Sequence, residues 1–214
     1  MNRPDSPLLV LASQSPRRRE LLARLGVPFE TVAAGVNENA RTDETPPALV
    51  QRLARAKALA VAARFPERPV LAADTIVVLE GQVLGKPADQ TEATEMLRRL
   101  RGRSHEVLSA LFACHQASGR EGATLNRSLV WMREYDEQEI AAYVASGDPM
   151  DKAGAYAIQN RAFAPVARVE GCFSGVMGFP LADAVQVLGQ IGVATRTGVE
   201  AACSPYAGTC CQED

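Results

Sequence analysis

Residues 13–20 of this chain read Ser-Gln-Ser-Pro-Arg-Arg-Arg-Glu, two hydroxyls followed by three consecutive cations. Ser15 suits a helix N-cap and Pro16 the first helical position, so a helix should begin here. Its first turn then carries Arg17, Arg18 and Arg19 at the end where the helix dipole is already positive, which costs about 0.3–1 kcal/mol per cation. A helix start with this charge, beside Ser13 and Ser15, suits an anion such as phosphate. The competing reading is a solvated basic turn partly neutralised by Glu20.

Three further groups have the same character. On a helical wheel from Leu49 to Val61, Lys57 lands in the apolar arc formed by Leu49, Val50, Leu53, Ala54, Ala60 and Val61, opposite Arg52 and Arg55. A lysine there must snorkel out or meet an anion. Asp74 interrupts the apolar run Val70–Leu79, so it needs strong donors, a metal or a raised pKa, or else it marks an Asp-Thr bend satisfied by its own backbone. Lys86 follows a short return, its backbone held extended by Pro87, so hairpin geometry would bring Lys86 and Asp74 to one end of a sheet. In Asp151-Lys-Ala-Gly-Ala-Tyr-Ala-Ile-Gln159, Gly154 and the alanines permit close approach of backbone to a ligand, and the Gln159 amide suits a base edge. A tight Gly/Ala packing segment would look the same.

The elements that must position these groups alternate. The patterning predicts strands at 8–12 and 28–32, helices from Pro16 to about Leu25 and from Pro46 to about Phe65, and a strand at 70–79 bent around Asp74-Thr75. A turn at 80–82 leads to a returning strand at Val83-Leu84, followed by a helix over 91–101 and long strands near 104–114 and 123–133. A helix over 136–145, a strand near 165–169 and a helix over 180–188 complete the set, with residues 33–45 as loop and 152–158 unassigned. Strands alternating with helices, without long linkers or repeats, favour an α/β fold. Residues 1–194 form the expected domain, and the small, polar, Cys-containing stretch 195–214 is expected to be a disordered tail.

Bulk properties narrow the partners. The chain has 214 residues, with 47% hydrophobic and 22% charged residues, which describes an ordinary globular protein. A net charge of −2 argues against a dedicated nucleic-acid or membrane-surface binder, so any anion site is local. The apolar run Leu8–Ala12 is too short for a signal core or a membrane span. Five cysteines (Cys114, Cys172, Cys203, Cys210, Cys211) show no Cys-x-x-Cys spacing, and free thiols in a reducing cytoplasm are the simplest account. Gly81–Pro87 is not a phosphate loop, because three rather than four residues separate its glycines and Pro87 stands where Ser or Thr should be. His105 and His115 share one strand without a nucleophile motif.

Taken in order, Leu11–Leu22, Ala73-Asp-Thr75 with Leu84-Gly-Lys-Pro87, Asp151–Gln159 and Gly178-Phe-Pro-Leu181 closely resemble the motifs of the Maf family of nucleoside triphosphate pyrophosphatases, over about residues 8–192. The resemblance implies a mixed, twisted α/β sheet with flanking helices and two lobes around a cleft, like the inosine-triphosphatase fold. It implies divalent-metal-dependent (Mg²⁺ or Mn²⁺) hydrolysis of a nucleoside triphosphate to the monophosphate and pyrophosphate. Carried over residue by residue, Asp74 matches the proton acceptor, with Lys86 and Glu38 completing the catalytic set and Asp74 and Glu38 as metal ligands. Ser13, Ser15, Arg18 and Lys57 match positions around the triphosphate. Arg17, Thr75 and Gln159 match the three positions that separate subfamilies, and they resemble the dTTP/UTP branch rather than the 7-methyl-GTP branch with its Trp, Gln and Glu. Homodimerisation is a family-level expectation. Asn160 replaces a usual glycine and Gly175 a common asparagine, both bearing on the base pocket. The alternatives are a housecleaning pyrophosphatase for another non-standard nucleotide and a nucleotide-sensing regulator of cell division.

Overall fold

Strand β3 (Val70–Leu79) is the axis of the computed structural model, which describes residues 8–206. One edge of β3 pairs from Val70 to Val78 with antiparallel β5 (Ser104–His115). Its other edge is shared. Strand β1 (Leu9–Leu11) runs parallel to it at Val70 and Leu71, and β4 (Gln82–Leu84) returns antiparallel at Val77–Leu79. Between those pairings, from Ala72 to Ile76, no described strand covers this edge, so the sheet is split at its middle. Strands β2 (Phe29–Thr31), β6 (Arg120–Met132) and β7 (Val166–Glu170) complete the order β2-β1-β3-β5-β6-β7, with β4 beside β3. Only the β1 pairings are parallel, which gives the mixed α/β sheet that the sequence implies.

Helices cover both faces. Helix α1 (Pro16–Arg24) is capped by Ser15, and α2 (Pro46–Ala62) by Thr45, each hydroxyl accepting an N–H of the first turn. Helices α3 (Gln90–Leu100) and α4 (Glu137–Ala145) follow, the latter opened by a reciprocal Asp136/Glu139 capping box. Then come the short α5 (Phe173–Val176), α6 (Leu181–Gln190) and α7 (Val199–Cys203). Leu49, Val50, Leu53, Ala54, Ala58 and Val61 of α2 pack on Val70, Ala72, Ile76 and Val78 of β3. Each fully buried Leu or Val there contributes roughly 1.5–3 kcal/mol. Leu71 and Ala73 face the opposite way, into a core with α1, α6 and Phe179, and Val77 and Leu79 pack towards α3 and α4. None of the helices is long and apolar enough to cross a membrane, among the described residues.

The structure departs from the sequence reading in four places. Strand β3 does not bend at Asp74-Thr75, because both residues keep β5 partners, Ala110 and Ser109. Strand β6 begins at Arg120, since Gly119 (φ 66°) closes the hairpin and sets His115 opposite Arg120. Helix α5 and the 3₁₀ turns at Asp148–Asp151 and Ala153–Ala155 are too short to leave a periodic signature. The start of the expected tail is packed: Arg196 and Thr197 donate their N–H groups to the Leu25 carbonyl, and Ala202 and Cys203 are buried in the α1/α6 core. Small side chains permit that close fit. Residues 207–214, including Cys210 and Cys211, lie outside the described residues, whereas Cys114, Cys172 and Cys203 are buried.

Candidate active site

The split in the sheet decides which side chains meet. Along a strand, alternate residues face opposite ways. Asp74 therefore projects to the α2 face and Thr75 to the α1/α6 face, yet the uncovered edge lets both line one cavity of about 320 Å³. A second cavity of the same size adjoins it, sharing Ser15, Arg17, Arg18, Glu38, Lys57 and Lys86 and adding Ser13. Gln159 lines only the first of these two cavities. All ten residues singled out from the sequence thus border one continuous cleft.

Lys57 is 8% exposed on the buried stripe of α2 and meets its anion directly. Its Nζ donates to Asp74 Oδ1 at 2.6 Å and lies 2.7 Å from Glu38 Oε1. Asp74 is 6% exposed, and the small Ala110 stands opposite it on β5. The side chain of Glu38 is half exposed, on the loop between β2 and α2. Arg52 holds that loop. Its guanidinium grips both oxygens of Glu44, at 2.6 and 2.7 Å, and the Asn39 carbonyl at 3.0 Å. The Arg52 hydrogen bonds, working against desolvation, pull the Glu44 carboxyl down to about 2. For Glu38, desolvation opposes ionisation, but the Lys57 hydrogen bond and the charges of Lys57, Lys86 and Arg18 outweigh it, so its pKa is lowered.

At the start of α1, the expected hydroxyls are already engaged as acceptors. Ser13 Oγ accepts the Ser15 N–H at 3.1 Å, and Ser15 Oγ caps the helix through the Arg18 N–H. Each keeps its own proton to donate. The three arginines diverge. Arg19 is exposed, and Arg17 pairs with Asp151 at 3.2 Å. Arg18 turns inward, with Nε on the Gly178 carbonyl at 3.1 Å and Nη2 on Thr75 Oγ1 at 3.3 Å. Desolvation lowers the Arg18 pKa, opposed by the charges of Asp74 and Glu38. Lys86 is exposed on the rim, just past β4, where the Glu80-Gly81 turn (φ 51° and 80°) has returned the chain.

In the Asp151–Gln159 segment the structure decides between the two readings left open by the sequence. Gly154 (φ +69°) serves packing rather than ligand approach. A Cβ there would stand 3.0–3.2 Å from Val77, and its N–H binds the Gly85 carbonyl at 3.0 Å. Asn160 faces away from the first cavity, with its amide on Asp148 and its carbonyl oxygen on the Phe163 N–H. Gly175 packs closely against Asn126: a Cβ would lie 2.7 Å from Asn126 Oδ1, so a side chain there would have to displace that amide. Sequence reasoning missed three contributors. Asp151 and Lys152 line the cavity and bind each other, and Ser109, beneath Thr75, is 1% exposed. The signal for the first two was the charged start of their motif; Ser109 had none.

The family profile of Maf-like proteins matches residues 8–191. This chain belongs to the Maf family. Among curated Maf relatives, a protein of Syntrophus aciditrophicus named dTTP/UTP pyrophosphatase is 45% identical, covering 89% of this chain and 93% of that protein. Another with the same name, from Moorella thermoacetica, is 48% identical over 86% of this chain and 95% of its own length. A solved HAM1 protein from Coxiella burnetii overlaps 59% of this Maf chain and 73% of its own, at 18% identity and a TM-score of 0.40.

Proposed function

We propose that this chain hydrolyses dTTP and UTP to the nucleoside monophosphate and pyrophosphate. The observation that carries the proposal is the meeting of Asp74, Glu38 and Lys57 within 2.7 Å contacts, on a cleft also lined by Arg18 and Lys86. The names of the curated relatives support the same reading.

Triphosphate cleavage demands charge neutralisation, an aligned water and a stable leaving group. Arg18, Lys57, Lys86 and the start of α1 supply positive potential along the cleft, and Ser13 and Ser15 offer hydroxyl protons to phosphate oxygens. Asp74 accepts a proton from the attacking water. The new bond forms to the α-phosphorus, the bond from that phosphorus to the bridging oxygen breaks, and pyrophosphate leaves. Lys57 orients the carboxylate that does this. Mg²⁺ or Mn²⁺ fits the chemistry of the donor set: Asp74 and Glu38, drawn together on the Lys57 ammonium, offer hard carboxylate oxygens beside the cleft, and substrate phosphates would complete the shell. When bound, such an ion would neutralise phosphate charge and favour ionisation of water. No group of three or more His, Cys, Asp or Glu residues suited to a metal occurs among the described residues, which agrees with a cation held jointly by protein and nucleotide.

Arg17, Thr75 and Gln159 select the base. A polar group left unmatched by a wrong base costs about 1–3 kcal/mol, whereas one methyl in an open pocket is worth little, so uracil and thymine are both accepted. The test is a panel of triphosphates with and without Mg²⁺, scoring monophosphate and pyrophosphate. dTTP and UTP should lead the panel and require the cation. Faster turnover of a purine triphosphate, or release of inorganic phosphate alone, refutes the assignment.

A further inference from the structure

Beneath the cleft, a chain of hydroxyls fixes the direction of a proton. Ser109 Oγ lies 2.7 Å from the Gly175 carbonyl oxygen and 2.8 Å from Thr75 Oγ1. A hydroxyl so close to a carbonyl oxygen must point its only proton there, since two oxygens at that distance with no hydrogen between them repel. The Ser109–Thr75 contact then needs the Thr75 proton. The other acceptor open to Thr75, the Gly178 carbonyl, is 3.4 Å away and already takes Arg18 Nε at 3.1 Å. With its proton committed inward, Thr75 faces outward with lone pairs only. One receives Arg18 Nη2 at 3.3 Å, and the other is left for the cavity that Thr75 lines.

We infer that Ser109, which lies outside the cleft lining, is a positioning residue that makes Thr75 a pure hydrogen-bond acceptor and so favours bases with an imide N–H over cytosine. Uracil and thymine carry a proton at ring nitrogen 3, where cytosine carries a lone pair. An acceptor of fixed polarity attracts the first and repels the second, whereas a freely rotating hydroxyl would serve both. The inference rests on the reading that Thr75 contacts the base. It explains why a buried serine stands opposite Thr75 on β5, in a register otherwise occupied by Leu111 and Val107 on that face.

The experiment compares kcat/KM for UTP and CTP in the full-length protein and in Ser109→Ala, Ser109→Cys, Thr75→Val and the Ser109→Ala/Thr75→Val double variant, each checked for folding by thermal melting. Ser109→Ala should lower the UTP:CTP ratio roughly three- to tenfold, the worth of one neutral hydrogen bond. Ser109→Cys, with its weaker donor, should fall between. Ser109→Ala should add nothing once Thr75 is Val. A Ser109→Ala ratio equal to wild type, with Thr75→Val reducing it, overturns the role of Ser109 and leaves Thr75 as a base reader. An effect of Ser109→Ala that persists in the Thr75→Val background overturns it equally. An unchanged ratio in Thr75→Val removes the underlying reading, and the inference with it.

Discussion

Replacing Lys57 by Met tests the central ion pairs as a matter of stability, independently of any substrate. Methionine keeps the length and apolar stem of the side chain, so the packing of α2 on β3 is preserved and only the ammonium is lost. Two carboxylates then lose a partner, but unequally. Glu38 is half exposed and can turn to water, which makes its share comparable to a surface pair, at most about 1 kcal/mol. Asp74 cannot turn, with 8% of its side chain exposed between α2 and β5. Stranding one partner of a buried pair costs about 3–5 kcal/mol, and because the cleft wets one side of Asp74 the lower value applies, about 3 kcal/mol. In a protein of this size that corresponds to roughly 6–12 °C in Tm. Urea unfolding followed by circular dichroism should give a lower midpoint with an unchanged slope. Glu38→Gln should lose no more than about 1 kcal/mol in the same assay. A Lys57→Met loss as small as that of Glu38→Gln would show that water, not lysine, satisfies Asp74, and would remove the argument that Lys57 orients it.

Other outcomes follow from the same geometry. Asp74→Asn should lower kcat about 10²–10⁴-fold while nucleotide still binds, measured by steady-state kinetics and calorimetry; near-wild-type turnover would show that Asp74 does not take the proton. Burial pulls the His105 imidazole, bonded to the Tyr156 hydroxyl at 2.7 Å, down to about 4. The unfolded chain takes up that proton already near pH 6.5, so the contribution is complete above that pH and shrinks on acidification, by about 3 kcal/mol at pH 4. Denaturation at several pH values should show this slope, and His105→Gln should flatten it. Gly154→Ala places a Cβ 3.0 Å from Val77 in a left-handed conformation, and should cost about 1–3 kcal/mol of unfolding free energy.

Much of this was legible in advance, where residue type and period agreed. Lys57 on an apolar stripe had either to snorkel out or to meet an anion, and Ser15-Pro16, Pro46 and Asp136 marked helix starts that the structure keeps. Legibility stopped where tertiary context decides. Asp74 looked like a bend because a carboxylate in an apolar strand breaks the local pattern. Its tolerance comes from Lys57, seventeen residues earlier, and from the gap between β1 and β4, neither of which is a property of the strand. Gly154 stayed open between room for a ligand and tight packing, since sequence shows only that a side chain is missing and not which neighbour fills the space. Ser109 could not be read at all, because its meaning depends on a carbonyl sixty-six residues away.

Asp74 and Thr75 are consecutive, and the pleat sends them to opposite sides of one strand. On the proposed assignment, hydrolysis and base choice are therefore mounted back to back on a shared rigid spine, each backed by its own set of helices. If Thr75 reads the base as proposed, a substitution there should retune which nucleotide enters without disturbing the packing that aims Asp74. A single inserted residue upstream would exchange the two roles' sides and cost the protein both at once.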